Sequence, residues 1–398
     1  MHIKHYIPFR HFRLPRLGEF LKLPRAIKYA FIILFIYYLG WGIWVAFEPI
    51  YLKRIVGSYT HIGLIVMTFN FLALFFSLFL GTILDKINKK KSIRFWLLFY
   101  LPFSYIFSKI KALSHFLLFK AYHGIIATGL WISGEAYVRQ HSPKKKAIES
   151  MALYDLSTIL AVVIGGFIGA WLIYKIGFNI FYAISAFAFL ALITSGILPD
   201  HGRWKVKHIH PLKGLKKELK DLRKNKSLRR LSAFLFVYVF VLATMPLVLP
   251  LFLNHIGAKL WQIGIIYAIS QVPFLFEGFF GLAKRKKAII SSSLLIGSAL
   301  FLAMAFVKNI LAIFLLSLAI SICFSAISPI INGKLTEAMP RQKRGELTAT
   351  LGALRYLSIS LSSLFSGFIS DLLGLHYVFL LNFVLFGLLF ISLKKIFK

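Results

Sequence analysis

Ionisable side chains stand inside stretches of sequence that are otherwise apolar, among them Glu48, Lys120, Glu135, Arg139, Asp155, Glu277, Lys334 and Arg355. A charge at the centre of a lipid-spanning helix costs about 2.5–3.5 kcal/mol on insertion scales, so each must face protein or a watery crevice and have a partner. The chemistry open to such a set is ion pairing and proton exchange. Two carboxylates in one low-dielectric site cannot both ionise cheaply, which makes such a pair a candidate for binding a proton. Asp155 and Glu277 are the first candidates, with Glu48 and Glu135 next. Static pairing competes with that role, for example Glu277 with Arg355, and both remain open. Arg139 follows Glu135 by four residues, on the same helical face.

The elements that position these residues follow from composition. Of 398 residues, 59% are hydrophobic and 15% charged. A soluble chain of this length is about half apolar and about a quarter charged, so the excess must face lipid. A spanning helix needs about 20 apolar residues. Twelve runs qualify: 28–52, 61–84, 94–110, 113–140, 148–174, 178–198, 230–253, 259–283, 288–307, 309–339, 345–372 and 376–393.

Alternating these runs from a cytoplasmic N-terminus sorts the 48 Lys and Arg residues sharply. Seven fall outside the cell: Lys53, Arg54, Lys109, Lys111, Lys175, Lys259 and Lys308. Lys120, Lys334 and Arg355 fall within spans, and the other 38 on the cytoplasmic side. The positive-inside rule then places both termini in the cytoplasm of a plasma-membrane protein. The net charge of +35 is thereby a topology signal, with anionic lipid as its counter-charge. It comes in short bursts rather than a compact basic domain, which argues against nucleic acid. On this topology Glu48 is about four residues and Lys120 about seven from the outer ends of their spans, so the two can meet as a pair. Glu135, Asp155 and Glu277 lie nearer the cytoplasm, and Arg355 is the deepest cation. Lys334 is expected to snorkel. Cys323 is the single cysteine, so neither an intrachain disulfide nor a cysteine metal site exists. The sequence carries no metal, cofactor or catalytic motif.

The chain reads as two halves. Residues 1–27 form a basic cytoplasmic segment, 28–198 a six-helix bundle, 199–229 a basic cytoplasmic linker, 230–393 a second six-helix bundle and 394–398 a tail. "EPIYLKRIVGSYTHIGLIV" from Glu48 matches "LPLFLNHIGAKLWQIGIIY" from Leu249, pairing Pro49 with Pro250 and Gly63 with Gly264. Further on, Pro143 meets Pro340, Glu149 meets Glu346 and Gly177 meets Gly374. Two parallel repeats are a transporter architecture with the site between them. Small-residue stripes at Ser157/Ala161/Gly165/Gly169, Ser358/Ser362/Ser366/Ser370 and Ala73/Ser77/Gly81 let helices approach closely, either as static packing or as faces that slide. Trp41, Trp44, Tyr37, Tyr38, Trp131, Tyr267 and Tyr356 are aromatics within spans, some of which are expected to line a cavity.

"GTILDKINKKK" from Gly81 resembles the signature between spans two and three of the major facilitator superfamily, with Gly81, Asp85, Lys86, Lys89 and Lys90 at its positions and Asn88 where the family has glycine. Asparagine tolerates a left-handed turn there. "GFFGLAKRKK" from Gly278 is a weaker second copy. The resemblance implies an all-α integral membrane fold of twelve helices in two pseudo-symmetric six-helix bundles. It places span two beside span eleven and span five beside span eight. Asp85 is then a conformational latch to the N-terminus of span eleven, whose dipole favours a carboxylate by about 0.3–1 kcal/mol, with Arg139 as a second partner. "KAYHGI" resembles the family's span-four motif, putting Lys120 at its arginine position and His123 at its glutamine position. That arginine is implicated in proton transfer in proton-coupled drug exporters. "VIGGFIGAW" has Gly165–Gly166 where many such exporters have Gly-Pro. The expected function is secondary transport of a small organic solute by alternating access, proton-coupled and directed to efflux of lipophilic compounds, by a monomer. A passive facilitator and a non-transporting sensor or scaffold are the alternatives.

Overall fold

A computed structural model describes residues 23–84, 87–143, 147–199, 225–281, 283–339 and 344–396. Among them the chain is helical almost throughout, without strands. The first half holds α1 (Arg25–Val45), α2 (Glu48–Val56), α3 (Tyr59–Leu84), α4 (Lys89–Tyr100), α5 (Phe103–Lys109), α6 (Leu113–His141), α7 (Ala147–Ile176) and α8 (Tyr182–Thr194). The second holds α9 (Lys226–His255), α10 (Leu260–Gln271), α11 (Glu277–Gly281), α12 (Lys286–Phe306), α13 (Ile310–Ala338), α14 (Arg344–Leu372) and α15 (Leu375–Ile396).

Nine stretches of the described residues are long and apolar enough to cross a membrane. One of them, Ser150–Ile197, has 48 residues and would reach about 70 Å as one rod, against about 30 Å of hydrocarbon. It breaks at Gly177, whose φ of 61° starts a 3-10 turn between α7 and α8. The repeat partner Gly374 also has positive φ and turns α14 into α15. The run at 94–110 is divided by Pro102 into α4 and α5, each too short to be counted. α14, the run at 345–372, is diluted by the serines at 358, 360, 362, 363, 366 and 370. α4 starts earlier than expected, because the Asn88 side chain caps it by accepting from the Lys91 N–H at 3.0 Å. Asn88 is extended, with φ −68°, so it makes no left-handed turn. α15 runs on to Ile396, past the expected start of the tail at 394.

Proline sets further breaks. Pro49 has no N–H to offer the Val45 carbonyl, so α1 ends there and Glu48 opens α2. Pro273 stands in the 3-10 turn Val272–Phe276, after which Glu277 opens α11. Glu48 thus stands at the N-terminus of a new helical segment, where the backbone dipole favours negative charge, while Glu277 follows the 3-10 turn without a gap, its N–H bonded to the Phe274 carbonyl.

Each half packs within itself, α1 on α7 and α8, and α12 on α13 and α15, while α3–α14 and α7–α10 cross between halves. The small-residue stripes divide accordingly. Side chains at Gly165 and Gly169 would strike backbone of Gly42 and Ile43 in α1, so that stripe packs inside its own half. Ser358 and Ser362 donate to the Phe236 and Phe240 carbonyls of α9 at 2.6 and 2.7 Å, so the second does likewise. The faces between halves lie one residue further round. A Cβ on Gly166 would meet Ala268 of α10, one on Gly63 the Ser363 carbonyl, and one on Gly367 the Tyr59 carbonyl. For the Ala73/Ser77/Gly81 stripe, Ala73 is buried.

Where α3 begins and α14 ends, Asp371 clamps the two. Its carboxylate accepts from the Ser58 hydroxyl at 2.5 Å and from the Tyr59 and Thr60 N–H groups at 2.9 and 2.7 Å. A carboxylate from one half thereby caps a helix of the other. Replacing Asp371 with alanine should loosen this seam. Pulsed EPR between spin labels at the exposed Arg54 and His376 should gain a longer-distance population absent from the parent, and an unchanged distribution would refute the clamp.

Candidate functional site

A cavity of about 530 Å³ lies between the halves beside the α3–α14 seam, with Val66 and Ser363 in its wall. That volume falls within the range of small-molecule sites, about 300–1,000 Å³. Most of the wall is apolar, from Val162, Leu242, Met245 and Phe274 among others. Polar groups gather at Glu48, Lys120, His123 and Tyr267, contributed by α2, α6 and α10.

Lys120 Nζ lies 2.5 Å from Glu48 Oε1, with the two side chains 3% and 10% exposed. The ammonium also sits 5.9 Å from the Trp41 ring centroid and 5.6 Å from that of Phe69, distances at which a ring face attracts a cation. His123, one turn along α6, packs its ring among Trp41, Phe69 and Phe103 with centroids 5.2, 4.7 and 4.7 Å away. Its Nδ1 is buried and has no hydrogen-bond partner. Tyr267 lies within electrostatic reach of Glu48 from the other half. The pair and its ring cage can hold one charged group of a ligand against apolar walls.

The remaining charges form a second group that does not line the cavity. Asp155 lies within electrostatic reach of Glu135, Glu277, Arg139 and Arg355. Arg139 donates to Glu135. Arg355 donates to the Asn332 side-chain oxygen at 2.6 Å, and among the described residues no ion pair joins it to Glu277, so that static pairing is not formed. Ser328 lies beside Glu277. Asp155 and Arg355 are solvent-accessible although protein surrounds them, as groups facing a crevice would be. Lys334 does not simply snorkel but pairs with Glu337 at 3.0 Å.

Of the expected latch, Asp85 and Lys86 lie outside the described residues, and Gly81 is in the last turn of α3. Lys89 donates to the Ile87 carbonyl at 3.0 Å, and Lys90 to the Gly196 and Leu198 carbonyls at 2.9 and 2.6 Å, so Lys90 covers the chain leaving α8. Of the seven aromatics singled out, Trp41 and Tyr267 line the cavity. Trp44 and Tyr37 are core, and Trp131 stacks between Tyr38 and Tyr154. Sequence reasoning missed Phe69, Gln271 and Phe274 in the wall and Asp371 in the clamp; an acid three residues before the turn glycine at 374 was the available signal for the last.

Breaking a buried pair by removing one partner costs about 3–5 kcal/mol, whereas replacing both is often near neutral. Lys120→Met alone should therefore lower the unfolding temperature in detergent markedly, and Glu48→Gln with Lys120→Met should recover most of the loss. A double variant whose loss equals the sum of the Glu48→Gln and Lys120→Met single losses would show that the pair is not coupled.

The family model "Major Facilitator Superfamily" matches residues 30–283 and 278–397. A curated relative, Multidrug resistance protein 2 of Bacillus subtilis (strain 168), is 26% identical over 371 residues, 89% of this chain and 91% of the relative. Among solved structures, a bacterial homolog of the human lysosomal transporter Spinster, inward-facing and unoccupied, aligns with a TM-score of 0.76 at 12% identity, covering 94% of this chain and 97% of that one. The human organic anion transporter MFSD10 (TETRAN) aligns at 0.66 and 18% identity over 93% and 100%. Twin halves, a cavity between them and a family match running from residue 30 to residue 397 make this chain a member of the major facilitator superfamily.

Proposed function

We propose that the protein is a secondary transporter that moves a small lipophilic organic solute by alternating access, driven by protons. Twelve spans form two units, 28–198 and 230–393, joined by the basic linker 199–229, with both termini in the cytoplasm and the clamp end of the molecule outside. The protein acts as a monomer in the plasma membrane. The observation that carries this reading is the position of the cavity: both halves line it, and the Asp371 clamp lies beside it at one end while Asp155 and Arg355 stay accessible. Rocking the halves would release the clamp and expose the cavity on the other face. The bacterial relative named for multidrug resistance supports lipophilic cargo and efflux.

Protons are assigned to Asp155 and Glu277, which come from opposite halves and interact electrostatically, with Glu135 and Glu48 as secondary carriers. In this reading the inner charges Glu135, Arg139 and Arg355 set the cost of ionising the pair. Passive facilitation is the second reading. It is favoured by Gly165–Gly166, because the exporters that this span resembles carry Gly-Pro there.

Asp155→Asn and Glu277→Gln should each abolish solute movement driven by a pH gradient in proteoliposomes while sparing exchange at equal pH. Normal gradient-driven transport by both variants would remove the proton assignment and leave the facilitator.

A further inference from the structure

We infer that the Glu48 carboxylate occupies the place of an anionic ligand, and that the cavity takes a lipophilic organic anion together with one proton. The inference rests on the transporter reading of this cavity and goes beyond it by fixing the charge of the cargo.

The polar end of the cavity holds one cation and one anion, both buried. In such surroundings an added charge must be balanced or it is expelled. A charged ligand can therefore load in two ways. An anion can take the Glu48 position on Lys120 while Glu48 accepts a proton. Alternatively, a cation can take the Lys120 position on Glu48 while Lys120 loses one.

Four observations favour the anion. Lys120 is the more enclosed partner, 3% exposed against 10% for Glu48, and both line the cavity, so a ligand there reaches the carboxylate at least as readily as the ammonium. Lys120 stands in mid-helix in unbroken α6, with Trp41 and Phe69 ring faces beside its charge. Glu48 stands at the joint between α1 and α2, where a side chain can swing without unwinding a helix. Finally, His123 presents a buried Nδ1 with no partner beside the same cavity, a polar atom that the empty pair leaves unused.

Loading balances as follows. The Lys120–Glu48 hydrogen bond breaks, an O–H bond forms on the Glu48 carboxyl with a proton from water, and Lys120 donates to the anion. The titratable groups lining the cavity around Glu48 are Lys120 and His123 from α6 and Tyr267 from α10. Net charge is unchanged, and the apolar walls receive the body of the ligand.

The test uses the full chain in detergent and two probes of matched size and opposite charge, tetraphenylborate and tetraphenylphosphonium, with partition into empty micelles subtracted. Tetraphenylborate should bind about tenfold more tightly for each unit fall in pH near neutrality, taking up about one proton per molecule bound. Tetraphenylphosphonium should not compete. Glu48→Gln should bind tetraphenylborate without proton uptake and independently of pH, and Lys120→Met should weaken binding at least tenfold. Preferential binding of the cation, pH-independent binding of the anion to the parent protein, or binding of neither probe overturns the inference; the first and second need no variant. The measurement uses no gradient and no transport, so loss of proton-driven movement would leave it readable, and a failure here would leave the Asp155–Glu277 assignment standing.

Discussion

Hydrocarbon offers a charged side chain neither hydrogen bonds nor counter-ions, and the pairing of several intramembrane charges among the described residues answers that one constraint. Glu48 and Lys120 satisfy each other at 2.5 Å. Arg139 is met by Glu135, and Arg355 by Asn332. Lys90, just outside the apolar runs, reaches the Gly196 and Leu198 carbonyls past the end of α8. A buried ion pair is seldom more stable than a well-packed apolar pair of the same volume, so stability alone does not account for Glu48 and Lys120. Their location at the polar end of a cavity shared by both halves does.

The same constraint explains why the helices are interrupted where they are. An acid inside the membrane gains from the positive end of a helix, and an unbroken span has its ends only at the two surfaces. The proline-dependent break before Glu48 creates such an end, whereas Glu277 follows a proline-containing 3-10 stretch in continuous helical backbone. The two sites lie in opposite halves, so each half brings one carboxylate on a short helical segment toward the region between them.

Much of this was legible in the sequence. Apolar runs locate the helices because hydropathy and backbone satisfaction both demand them in lipid, and the Gly–Asp–Lys spacing after Gly81 points to the family that the whole-chain match shows. Depth counted along two spans brings Glu48 level with Lys120. The small-residue stripes were harder. Spacing by four identifies a face but not its neighbour, and the faces that join the halves, at Gly166 and at Ser363 with Gly367, lie one residue round the helix from the regular stripes. Asn88 was read as a turn residue by analogy with glycine, but its side chain found a closer task in capping α4. Asp371 was missed for a different reason: its place before the turn glycine at 374 marks a helix end, but its partner Ser58 is 313 residues away, and no local pattern names a partner at that range.

The position of that contact matters as much as its chemistry. If the halves rock about the central cavity as proposed, they pivot near their middle, and a bond at the rim acts with the greatest leverage. Because Ser58, Tyr59 and Thr60 all bind one carboxylate, the polar hold at that rim depends on one side chain and is lost all together once it gives way. A hold built so yields abruptly rather than by gradual creep, which suits the alternating opening proposed above.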